Sequence, residues 1–101
     1  LADRGVDGFR IDTVNKYSKV LPFIDVPILD ERCSVPAAEG MWCNGPRIHE
    51  FLREMNKEVL SKYRTYDSLP VVTVGELAMC SDPATLLPYI SAANKELDMV
   101  L

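Results

Sequence analysis

Gly5-Val6-Asp7-Gly8-Phe9-Arg10-Ile11-Asp12-Thr13 runs apolar and then ends in an acid. Side chains alternate across an extended backbone, so Arg10 and Asp12 share one face and Phe9 and Ile11 the other. The spacing predicts a strand over 6–12, in which Gly8 lets a neighbouring chain approach closely. Leu69-Pro70-Val71-Val72-Thr73-Val74-Gly75-Glu76 repeats the pattern. Its nearly continuous apolar run is what a strand buried on both faces of a parallel sheet requires. Pro70 stands at its start, where a missing N–H is tolerated, and Glu76 shares a face with Val72 and Val74. Two such strands bring two carboxylates to one rim of a sheet. Glycosidic bond cleavage needs such a pair, one carboxylate as nucleophile and one carboxylic acid as proton donor.

Between the two strands a helix is expected to begin near Thr13 and run to Lys19. Pro22, Pro27, Pro36, Gly40, Gly45 and Pro46 then exclude a long helix over 21–46. A loop of this length in a compact domain is usually functional or disordered. Phe23, Ile24, Ile28, Leu29, Met41 and Trp42 predict an ordered loop packed on something. From Pro46 onward, Ile48, Phe51, Leu52, Met55, Val59, Leu60 and Tyr63 recur at helical spacing, with Pro46 compatible with the helix start and Glu58–Lys62 a favourable exposed pair one turn apart. Ser81-Asp82-Pro83 supplies an N-cap and a first-turn proline for a short helix to about Ile90. A further strand opens near Leu97. Alternating strands and helices mean an α/β chain of parallel βα units.

The chain has 101 residues, 48% of them hydrophobic, which is a packing composition and not a disordered one. Its net charge of −4, with Lys and Arg mixed among acids, argues against nucleic-acid binding. No apolar run reaches the roughly 20 residues a membrane span needs. The first residue is Leu1 and the last two are Val100 and Leu101 in mid-run, so the sequence reads as an internal piece of a larger protein. Cys33, Cys43 and Cys80 form no close Cys-x-x-Cys pair, so no zinc or other metal site is expected. Three reduced thiols in a cytoplasmic protein are favoured over a Cys33–Cys43 disulfide.

Gly5 to Thr13 resembles the second conserved region of glycoside hydrolase family 13, the α-amylase family, and Thr73-Val74-Gly75-Glu76 resembles its third. Asn44-Gly45-Pro46-Arg47-Ile48-His49-Glu50 and Tyr17-Ser18-Lys19 resemble segments of its α-glucosidase and oligo-1,6-glucosidase branch. The resemblance spans essentially the whole chain. It implies that residues 1–101 are a fragment of the catalytic domain, a partial (β/α)8 TIM barrel from about the fourth to the sixth βα unit. A full barrel takes roughly 250 residues. It also implies that a third acid and a sugar-holding His and Asp lie elsewhere, so the rest of the barrel is the partner this segment requires. No cofactor is implied.

By the same resemblance Asp12 is the nucleophile and Glu76 the acid/base, which must arrive protonated for the first step. Arg10 would keep Asp12 ionised, orient it and line the sugar subsite. Without the resemblance, Asp12 and Glu76 could each be a helix-capping acid and Arg10 a purely structural pair. Thr13, the other substrate-binding position, looks like the maltase-type residue where isomaltase-type members carry Val. The third and fourth positions after the nucleophile are Asn15 and Lys16, where endo-acting α-amylases commonly carry Lys-His; this favours an exo-acting glucosidase on short oligosaccharides. His49 is expected to pack structurally. Trp42 and Phe23 are either sugar-stacking residues or loop anchors. The function implied is a retaining α-glucosidase acting on maltose, sucrose or short oligosaccharides. An oligo-1,6-glucosidase or transglycosylating relative is the alternative within the same chemistry. A non-catalytic heavy subunit of an amino-acid transporter is the alternative outside it.

Overall fold

The computed structural model describes residues 1–35 and 37–101. Strands β1 (Gly8–Ile11), β2 (Val72–Gly75) and β3 (Met99–Val100) form one parallel sheet in chain order. Gly8 pairs with Val72, Arg10 with Val74 and Gly75 with Val100. This register puts Arg10, Val72 and Val74 on one face and sends Thr73 and Gly75 to the other. The second face is the packed one: Thr73 and Gly75 are buried, and Val72 is exposed.

Among the described residues three helices join the strands: the single turn α1 (Glu39–Trp42), then α2 (Ile48–Glu58) and α3 (Pro83–Ile90). The core lies on the helix side of the sheet. It is built from Val14, Ile48, Leu52, Leu77, Tyr89 and Leu97, with Ile11, Met55 and Ile90 packed against it. Ile48, Leu52 and Met55 are the apolar stripe of α2, so the helical period read in the sequence is the one that buries. The carboxylate of Asp82 caps α3 by accepting from the backbone N–H of Ala84 and Thr85, and Pro83 stands in its first turn. Gly8 and Gly75 are positions of close approach. A methyl group on Gly8 would stand 2.7 Å from the Val72 carbonyl oxygen, and one on Gly75 2.6 Å from Leu97 Cδ1 and 2.8 Å from Val14 Cγ1.

Several element boundaries differ from the sequence reading. The helix expected from Thr13 to Lys19 is one 3-10 turn, Val14–Lys16. Val14 and Asn15 are both fully buried there, and Asn15 bonds backbone on the neighbouring strand end, which a longer helix would not allow. Helix α2 ends at Glu58; a separate 3-10 turn, Leu60–Lys62, buries Leu60 and leaves Val59 exposed. Lys62 still reaches Glu58, at 3.2 Å. The long loop packs only in part: Phe23 is 76% exposed and Leu29 87%, whereas Met41 and Trp42 are half-buried. The radius of gyration, 16.3 Å, exceeds the about 13 Å of a compact 100-residue domain. No helix among the described residues is long and apolar enough to cross a membrane.

Candidate active site

Adjacent parallel strands end side by side, and each is followed by an acid. Arg10, on the open face of β1, reaches both. Its Nη1 donates to Asp12 Oδ1 at 2.5 Å and its Nη2 to Glu76 Oε2 at 2.7 Å. One guanidinium therefore sets the gap between the two carboxyl groups, using the fixed fork geometry peculiar to arginine. The Asp12 side chain is 72% exposed and that of Glu76 31%, so the pair sits at an open rim. Arg10 holds the Asp12 carboxyl below the usual carboxylate range, with Glu76 and Thr13 hydrogen bonds adding to the effect against some desolvation. Asp12 is thus an ionised carboxylate, the state a nucleophile needs.

The turn after β1 is made by Thr13, whose φ of 38° and ψ of 46° lie in the left-handed region. A β-branched residue there is strained, and such strain persists where the surroundings over-determine it. Here they do. Thr13 N–H donates to Glu76 Oε2 at 3.2 Å and Val14 N–H to the Glu76 carbonyl at 2.9 Å. Glu76 N–H in turn donates to the Ile11 carbonyl at 2.9 Å. Thr13 Oγ1 lies 3.4 Å from Asp12 Oδ2, and Tyr17 O–H donates to the Asp12 carbonyl at 2.9 Å. The four residues singled out as catalytic or substrate-binding, Arg10, Asp12, Thr13 and Glu76, form one contiguous cluster.

The loop aromatics, for which the sequence leaves sugar stacking and loop anchoring equally open, make no hydrogen bond to this cluster. Phe23 is exposed on the long loop, and one face of Trp42 is covered by the Lys16 ammonium, 4.8 Å from the ring centroid. His49 packs structurally: its Nδ1 lies 2.8 Å from Glu96 Oε2, and its ring meets Tyr89 at 4.6 Å between centroids. The Glu96 side chain is wholly buried and also accepts from Arg53 at 3.2 Å, so a buried charge is paired as it must be. Nothing in the sequence pattern marks Glu96, and Asn15 stands out there only as a departure from the endo-amylase pattern. Asn15 is fully buried and ties both strand-end loops together. Its bonds across the two strand ends go to the backbone of Ala78, which leaves no trace in composition.

The α-amylase catalytic-domain model matches residues 1–101. The chain belongs to the α-amylase family. An oligo-1,6-glucosidase of Saccharomyces cerevisiae is 44% identical over 95 residues, covering 94% of this chain and 16% of that protein. An α-glucosidase of Candida albicans is 45% identical over 98 residues, covering 97% and 16%. Among solved structures, a trehalose-6-phosphate hydrolase of Bacillus licheniformis superposes with a TM-score of 0.74 at 40% identity, covering 97% of this chain and 15% of that one. The α-amylase-family segment thus spans about a sixth of the curated relatives it matches. Its three parallel strands and their helices are part of a (β/α)8 barrel, and Asp12 and Glu76 stand at the C-terminal strand ends, where barrels of this kind carry their sites.

Proposed function

We propose that a complete barrel carrying this segment is a retaining α-glucosidase that removes terminal α-linked glucose from maltose, sucrose or short oligosaccharides. Asp12 is the nucleophile, Glu76 the acid/base, and Arg10 and Thr13 are substrate-binding residues. The observation that carries the reading is Arg10 bonded to both acids at once. Retaining enzymes hold their two carboxyls about 5–5.5 Å apart, and a shared guanidinium enforces a short gap. In the first step Asp12 attacks the anomeric carbon, the glycosidic C–O bond breaks, and Glu76 gives its proton to the departing oxygen. Oε2 of Glu76 is taken by two N–H donors, which leaves Oε1 to carry that proton. In the second step Glu76 takes a proton from water as the water displaces Asp12, which restores the α configuration.

The relatives support both linkage classes, since oligo-1,6-glucosidases and α-glucosidases match equally well. Thr13 is the residue on which we rest the maltase-like preference. A transporter heavy subunit would not need an Arg10, Asp12 and Glu76 cluster of this geometry. A cytoplasmic setting, in which the free Cys33, Cys43 and Cys80 stay reduced, is part of this proposal. The test is direct. In the complete barrel, Asp12→Asn and Glu76→Gln should each lower kcat on maltose by about 10³-fold or more with little change in Tm. Near-normal turnover by either variant would remove the assignment.

A further inference from the structure

The geometry points to Asn15 as a positioning residue that fixes the spacing of nucleophile and acid/base by stapling their two loops together. The inference rests on the retaining-glucosidase reading. Asn15 follows Asp12 by one short turn, and Ala78 follows Glu76 by two residues. The Asn15 amide makes two bonds to one residue: Nδ2 donates to the Ala78 carbonyl at 2.8 Å, and Oδ1 accepts from the Ala78 N–H at 3.1 Å. It therefore continues the β1–β2 pairing beyond the point where the strands stop, with a side chain in place of a backbone. The same Nδ2 donates to Asn44 Oδ1 at 3.3 Å, and that oxygen also accepts from the Tyr89 O–H at 2.6 Å. Burial pushes the Tyr89 phenol well above its usual range, so it remains a donor. Asn44 Oδ1 is thereby held as an acceptor, and the Asn15 amide cannot flip without setting like groups against Ala78. The Asn15 side chain hydrogen-bonds to neither acid. It acts through the loops, and in a pair of groups that must meet the same anomeric centre a shift of an ångström costs about 10²-fold.

The consequence differs between substrates. Maltose has a poor leaving group and needs a well-placed proton donor; α-glucosyl fluoride needs little acid assistance. In the complete barrel, Asn15→Asp keeps the shape but sets a carboxylate oxygen against the Ala78 carbonyl. The expected result is a loss in kcat/KM at least about tenfold larger on maltose than on α-glucosyl fluoride. Tyr89→Phe, which removes only the hydroxyl that orients Asn44, should show the same bias more weakly. It decides the matter if Asn15→Asp fails to fold. Glu76→Gln is the reference for lost acid catalysis. If Glu76→Gln shows the maltose bias and the folded Asn15 and Tyr89 variants lose equally on both substrates, or lose nothing, Asn15 is only structural and the inference falls. If Glu76→Gln itself shows no bias, the acid/base assignment falls first and takes the inference with it.

Discussion

Arg10 does two things that can be separated by titration. It is the main group holding Asp12 below the ordinary carboxylate range. Removing the charge lets the Asp12 carboxyl rise, so a higher pH is needed to ionise it. In the complete barrel, Arg10→Gln should therefore move the acidic limb of the kcat/KM profile, which reports the free enzyme, to higher pH, besides lowering its plateau. An unmoved limb would mean that Asp12 is not the group ionising there. Thr13 offers a cleaner change. Val is also β-branched, so Thr13→Val keeps the strained turn and loses only the hydroxyl beside Asp12 Oδ2. The maltose-to-isomaltose ratio of kcat/KM should fall; an unchanged ratio would count against Thr13 as the selector. Strand alternation, which is local, is enough to bring Arg10, Asp12 and Glu76 to one rim; their roles as nucleophile, acid/base and sugar-binding residue rest on the family resemblance. The Asn15–Ala78 staple was not legible in the sequence, because one partner is a peptide group far along the chain.

Elements whose ends carry a chemical signal were the ones the sequence placed well. Asp82 and Pro83 begin α3, as their types dictate, and Asp82→Ala should cost about 1 kcal/mol. Thermal melts of the complete barrel would read this as a small drop in Tm. Gly75→Ala should cost more, about 1–3 kcal/mol, since the added methyl meets Val14 Cγ1 on a stiff β-branched side chain. Equal Tm values for Gly75→Ala and the parent would show that Leu97 and Val14 can give way. The elements read poorly were those decided by non-local contacts. The break after Glu58 follows from burying Leu60, which the helical period alone does not foresee. The apolar residues of the loop over 21–46 predict packing, yet composition does not say against what; Phe23 and Leu29 are left in solvent while Met41 and Trp42 are half-buried.

The whole segment is a poor candidate for an independent domain. Strands β1 and β3 each have an unpaired edge in the three-stranded sheet, and the long loop adds large exposed apolar residues such as Phe23 and Leu29. Such edges and patches invite association. Expressed alone, residues 1–101 should elute as aggregates on size exclusion and release no nitrophenol from a nitrophenyl α-glucoside. A monomer with a cooperative melt and measurable turnover would overturn that expectation. The sheet order has one more consequence, for a chain on the ribosome. Because the strands stand side by side in the order in which they are made, β1 has no partner within this segment until the whole crossover and β2 have emerged. At about 5–20 residues per second, the backbone groups of β1 that pair with β2 wait several seconds without their partner. Translation speed across the crossover sets how long a chaperone has to cover them.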